Sequence, residues 1–115
     1  MQLLAWESVT KEALNDKLWR KLVTGEKAMV AQLFLARGCL VPTHQHESEQ
    51  ISLIFEGALK FELEGREVMV RAGEVLVIPS GVPHSALALE DTRAFDVFSP
   101  IRQDWLDGTD SYLRK

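Results

Sequence analysis

Three histidines are all that the chain contains, and they are unevenly placed: His44 and His46 stand one residue apart, and His84 follows far downstream. Imidazole nitrogen is a ligand for zinc, iron, nickel, copper or manganese, and it binds them in its neutral form, which is available near pH 7. A single intervening residue puts two side chains on one face of a strand, so His44 and His46 point the same way where the backbone is extended. Gln50 has the same parity, as do Ser52 and, after His84, Ala86 and Ala88. A face of this kind is small and partly polar, which leaves room for a substrate. The opposite parity carries Ile51, Leu53 and Phe55, which suit a core or a partner surface. The competing reading is of surface or core histidines without metal. A lone histidine would deserve that reading; three placed in this way argue for a metal.

These side chains need strands to position them. From about residue 28 the chain reads as short extended runs cut by glycines: KAMVAQLFLA, EQISLIFEG, ALKFELEG, REVMVRA, EVLVIPS and RAFDVFS. Many alternate apolar with polar residues, the period of a half-buried strand. Glycines at 25, 38, 57, 65, 73 and 81 suit the turns of an all-β sandwich or barrel. The segment Phe61 to Val70 reads as a hairpin folded at Gly65. The N-terminal stretch is ambiguous. Leu14, Leu18 and Leu22 have helical spacing, and Thr10 with Glu12 can open a helix, yet Leu18 to Val23 also reads as a strand. The reading adopted is a short helical turn near 10–15 followed by a strand.

Two segments go further. One runs Gly38, five residues, His44, one residue, His46, three residues, Gln50, six residues, Gly57. The other runs Gly73, five residues, Pro79, one residue, Gly81, two residues, His84. They resemble the two sequence motifs of the cupin family, and residues 58–72 between them are similar to the short spacer of compact single-domain cupins. The resemblance implies an all-β jelly-roll, a double-stranded β-barrel over residues 1–115, with a short N-terminal and a short C-terminal helical segment. It also implies one divalent transition metal (Zn, Ni, Fe, Mn or Cu) in one mouth of the barrel, with His44, His46, Gln50 and His84 as ligands. The usual cupin has glutamate near position 50, whereas Gln50 would offer a neutral amide oxygen. The protein then leaves the charge of a divalent cation uncompensated, which strengthens its pull on a substrate oxygen and makes an anionic ligand welcome. Glu47 and Glu49 have the wrong parity, unless a bulge swings Glu49 inward. Ala88 stands where the second motif often ends in asparagine, and Cys39 reads as a buried apolar residue.

The tail narrows the resemblance. Asp96-Val97-Phe98-Ser99-Pro100 followed by Arg102, together with Trp6-Glu7, Gly25-Glu26-Lys27 and the His-X-His-X-X-Glu-Gln run, is similar to the pectin-degradation cupins of the KdgF type. Those enzymes convert cyclic 4,5-unsaturated uronates from pectin or alginate to the linear 4-deoxy-5-keto form, and the resemblance implies that activity here. Carried over residue by residue, Asp96 would move a proton during the enol-to-keto change. Phe98 would wall the sugar ring, and Arg102 would pair bidentately with the uronate carboxylate. An aspartate lodged among Phe95, Phe98 and the barrel wall is expected to have its pKa raised by desolvation and lowered by the metal. The plainer alternatives are that Asp96 ties down a strand end or pairs with an arginine, that Phe98 is core, and that Arg102 opens a terminal surface helix over 102–106. For the molecule as a whole, the alternatives are a metal-dependent dioxygenase or isomerase on another small acid, or a non-catalytic ligand-binding or sensor cupin.

Bulk properties set the outer limits. A chain of 115 residues, 46% hydrophobic and 26% charged, is expected to form one small globular domain. Its net charge of -4 argues against nucleic acid as a partner. No apolar run reaches the ~20 residues of a membrane helix. The opening MQLLAWESVTKEAL lacks the pattern of a secretory signal, and Cys39, the single cysteine, has no intramolecular partner. A cytoplasmic protein is expected. A small anionic sugar acid is the expected ligand, and the apolar outer face of Ile51, Leu53 and Phe55 favours a homodimer.

Overall fold

The computed structural model describes residues 1–114. Ten strands follow one another: β1 (Glu12–Asn15), β2 (Leu18–Thr24), β3 (Met29–Leu35), β4 (Leu40–His44), β5 (Glu49–Glu56), β6 (Ala58–Leu63), β7 (Arg66–Arg71), β8 (Val75–Ile78), β9 (His84–Ala88) and β10 (Thr92–Ser99). All pairings are antiparallel. They build a six-stranded sheet in the order β1-β2-β3-β10-β5-β8 and a four-stranded sheet in the order β4-β9-β6-β7. Among the described residues no helix is long and apolar enough to cross a membrane.

The alternation read from the sequence is the alternation of inside and outside. Along β3, Met29, Ala31, Leu33 and Leu35 are buried; along β10, so are Thr92, Ala94, Asp96 and Phe98. These inward faces enclose a core completed by Ile54, Leu59, Phe61, Val70 and Ile78. Each large apolar side chain buried there contributes about 1.5–3 kcal/mol. The hairpin at Gly65 is present: β6 pairs with β7, and Glu64 and Gly65 both have positive φ (53° and 74°), as the tightest right-twisting hairpin turn demands. Gly57 is required for a different reason. Its φ is +87°, and a Cβ there would run into Asp91 O and the Thr92 side chain. Thr92, fully buried, accepts a hydrogen bond from the Ala58 amide (3.2 Å), tying the start of β6 to the start of β10.

The N-terminus differs from expectation. Residues 12–15 are strand β1, not a helical turn, and the helical turn is a short 3-10 segment over Trp6–Ser8. The four-residue step from Leu14 to Leu18 belongs to a hairpin in which Asn15 pairs with Leu18 and both leucines reach the core. At this length, hairpin and helix place apolar residues alike. The C-terminal helix α1 (Gln103–Asp107) lies where a helical segment was expected. A second 3-10 turn, Ser111–Leu113, follows it.

Candidate metal centre

Strand pairing assembles the histidines. In the β4–β9 ladder His44 lies directly opposite His84, and their ring centroids are 4.3 Å apart. His46 does not share a strand with His44: β4 ends at His44, and His46 belongs to the connection to β5. It still reaches the same point, its ring 5.0 Å from that of His84 and 5.6 Å from that of His44. One nitrogen from each of the three imidazoles lies within 4.8 Å of the others.

The backbone sets the tautomers. Nδ1 of His44 contacts Pro42 O at 2.8 Å, that of His46 contacts Ser48 O at 2.9 Å, and that of His84 contacts Val82 O at 2.8 Å. A carbonyl only accepts, so each Nδ1 carries the proton and each Nε2 presents a lone pair inward. Nε2 of His84 is buried and has no hydrogen-bond partner among the described residues. Nε2 of His46 stands 3.1 Å from Gln50 Oε1, one acceptor facing another. A second proton on His46 would bridge them, but burial first, then the charge of Arg102 and the proximity of His84, lower its pKa to about 4. Burial does the same to His44, also to about 4. An unpartnered lone pair, two acceptors in contact and three imidazoles held neutral form a donor set that could hold a divalent transition metal.

Gln50 is 6% exposed and points inward, while Glu49 is exposed, and β5 shows no bulge beside it. The amide is oriented from behind. Its Nε2 donates to Ser52 Oγ (3.0 Å) and Asp96 Oδ2 (3.3 Å), which leaves Oε1 facing the histidines. This follows from register, since β10 lies beside β5 with Asp96 opposite Ser52 and Phe98 opposite Gln50. Asp96 also accepts a hydrogen bond from Ser52 Oγ (2.7 Å) and forms no ion pair among the described residues. Desolvation raises its pKa to about 6 against the lowering pull of Ser52 and Arg102. Phe95, expected beside it, points to the other side of β10 and stacks on Trp6, with centroids 5.4 Å apart. Neighbouring residues of a strand cannot share a face.

Phe98, 1% exposed, packs edge-on against His46 (5.7 Å) and Trp105 (4.9 Å). Arg102 precedes α1 but is buried, its guanidinium between the Phe98 and Trp105 rings at 5.2 and 4.9 Å. It is not an open fork, because Asp104 already takes Nε (3.0 Å) and Nη2 (2.8 Å). Of the Arg102 nitrogens, only Nη1 lacks a partner among the described residues. His44, Gln50, His84, Asp96, Phe98 and Arg102 line one cavity.

Sequence reasoning passed over Asp104, Trp105 and Tyr112. Tyr112 stacks on His44 with centroids 4.5 Å apart and accepts hydrogen bonds from Arg102 Nη2 (2.7 Å) and Trp105 Nε1 (3.3 Å). The single tyrosine of the chain, set in a polar tail, was the one available signal.

A family model described as "Cupin domain" matches residues 33–98. The pectin degradation protein KdgF of Dickeya dadantii (strain 3937) is 28% identical over 98 residues, covering 83% of this chain and 89% of that protein. The structure of KdgF from Halomonas sp. is similar with a TM-score of 0.84 and 30% identity, over 91% of this chain and 98% of that one. An RmlC-like cupin from Shewanella frigidimarina NCIMB 400 has a TM-score of 0.85 at 24% identity, over 91% and 96% of the two chains, and speaks for the fold alone.

Proposed function

The chain belongs to the cupin domain family, and from that premise we propose that it is a metal-dependent enzyme converting cyclic 4,5-unsaturated uronates to their linear 4-deoxy-5-keto form. The observation that carries the reading is the position of Asp96. It is a buried carboxyl, hydrogen-bonded to Gln50 behind the histidine cluster, in a cavity that also holds an unpartnered arginine nitrogen. The similarity to the pectin degradation protein KdgF supports the substrate class.

The reaction is an isomerisation that needs a proton moved and nothing added. The C1 hydroxyl loses its proton as the bond from C1 to the ring oxygen breaks, leaving an aldehyde at C1 and an enolate at C5. A proton then reaches C4, and the enolate becomes the ketone. Asp96 is the group to take the first proton and return the second, because a pKa near 6 serves both directions around neutrality. Phe98 faces the sugar ring with an apolar wall. Arg102 holds the uronate carboxylate through Nη1, the nitrogen with no partner among the described residues. A metal held by His44, His46, His84 and Gln50 Oε1 would supply Lewis-acid polarisation of a substrate oxygen. The histidines are held neutral, and Arg102 is the cationic side chain that lines the cavity.

The test is direct. Metal-loaded protein added to freshly cleaved unsaturated galacturonate should hasten loss of the enol-ether ultraviolet absorbance, and should do so equally under nitrogen, since no oxygen is consumed. No acceleration over the spontaneous change, with metal content verified, would refute the reading. We also propose that the chain acts as a homodimer. Phe55, Val75 and Val77 are about half exposed (54%, 55% and 54%) on the outer side of β5 and β8, next to the half-buried Ile51 and Leu53. Sedimentation should give twice the chain mass, falling to one chain for Phe55→Glu.

A further inference from the structure

The cavity in front of the histidines has a volume of about 50 Å³. That holds a few waters. Sites that enclose organic ligands span roughly 300–1,000 Å³. A sugar acid enters only if something lining the cavity moves, and the lining residue outside the barrel's strands that lies on a histidine is Tyr112.

The hydrogen-bond count at Arg102 says what that movement exchanges. A guanidinium has five N–H hydrogens. Asp104 takes the one on Nε and one on Nη2, and the Tyr112 hydroxyl takes the other on Nη2. Both hydrogens on Nη1 lack a partner among the described residues, in a side chain only 3% exposed. A carboxylate bonds an arginine best through two parallel N–H groups on different nitrogens. With the Nε edge closed by Asp104, the remaining edge is Nη1 with Nη2, and the Tyr112 oxygen stands on it.

From this we infer that Tyr112 is a built-in occupant of the carboxylate position, and that a carboxylate ligand binds by displacing its phenol from Arg102 and its ring from His44. This rests on the reading that the site takes a carboxylate. The exchange is favourable because a charged acceptor replaces a neutral one, and charge-assisted hydrogen bonds are roughly twice as strong. With no carboxylate bound the phenol serves a purpose of its own, since without it a third N–H of a buried cation would lack a partner. The segment bearing Tyr112 lies outside the sheets, so it can shift without breaking a strand pairing. Asp110 is its fixed end, fully buried and 2.6 Å from the equally buried Arg20. Beyond it, residues 111–114 join no sheet. They are held by the buried Leu113 side chain, by Asn15 Nδ2 donating to Leu113 O (2.9 Å) and by Arg114 on Glu12 and Asp110 (3.0 Å each).

Calorimetric titration of the zinc-loaded full chain with acetate and with D-galacturonate, a stable saturated uronate, tests this. Tyr112→Phe keeps the ring and deletes the competing oxygen, so galacturonate should bind about tenfold or more tightly to the variant, the range of one hydrogen bond to a charged group. In the unaltered protein, galacturonate should speed hydrogen exchange at the Leu113 and Arg114 amides, which bond to Asp110 O and Ser111 O when the segment is seated. Weaker binding by Tyr112→Phe, slower or unchanged exchange at those amides, or no binding of either carboxylate by either protein would overturn the inference. Normal carboxylate binding without turnover of unsaturated uronates would count against the proposed reaction alone.

Discussion

Replacing Asp96 by asparagine should make the metal-free chain more stable at neutral pH and the loaded protein inactive. The carboxyl is buried, and desolvation raises its pKa from 3.8 to about 6. The folded chain therefore holds this proton more tightly than the unfolded chain does. The stability associated with it is complete below about pH 4 and is lost as pH rises through about 6. A unit of pKa is worth about 1.4 kcal/mol, so the ionised carboxylate costs about 3 kcal/mol at neutral pH. Asparagine has the same shape and stays neutral. It keeps one acceptor for Gln50 Nε2, and the Ser52 hydroxyl can turn to accept from the new amide. Near pH 4 the two proteins should thus differ by no more than about 1 kcal/mol, the net worth of one hydrogen bond. By about pH 7.5 the variant should lead by about 3 kcal/mol, or roughly 12 °C in Tm for a chain of this size. Taking the difference between variant and parent at each pH cancels the other titrating groups. Paired thermal melts from pH 4 to 8 measure it, and a difference that does not change with pH would refute the desolvation argument. The same substitution should lower turnover of unsaturated uronate by about 10²–10⁴, the usual share of a positioned acid–base group. Undiminished turnover would remove Asp96 from the chemistry, as a purely binding role requires.

Asp110→Asn strips the counter-charge from fully buried Arg20 and should cost about 3 kcal/mol or more, read as a Tm lower by roughly 12 °C or more. An unchanged melt would show that Glu12 and the Trp105 carbonyl alone satisfy the arginine. His46→Ala lies in a connection rather than a strand, so the fold should survive while metal falls from one per chain to near none by elemental analysis. Retention of metal would remove His46 from the ligand set. Gly57→Ala forces a Cβ into the Asp91–Thr92 backbone at a left-handed φ and should cost at least about 3 kcal/mol in chemical denaturation. A smaller loss would mean that the β5–β6 turn yields.

Much of this molecule is legible along the chain. Strand alternation is a local property, set by which residues tolerate a half-buried extended backbone, so β3, β5, β6, β7, β8 and β10 stand close to where their apolar periods place them. The inward parity of Gln50, Ser52, Asp96 and Phe98 follows from the same period. The spacing of the histidines, read as a resemblance, named the family that residues 33–98 match.

Tertiary structure decided the rest, because it depends on pairing between distant segments. Only the β4–β9 ladder sets His84 against His44, and only a loop turns His46 back onto them. Leu14 and Leu18 could not tell hairpin from helix until Leu18 found its partner across the turn. Arg102 could be named as a carboxylate ligand from its type, but not that Asp104 and Tyr112 had already taken three of its five hydrogens. Hydrogen bonds saturate, and which donors remain free is settled by every group brought within reach. A sequence determines which side chains can do chemistry; the folded neighbourhood determines which of their atoms are left to do it.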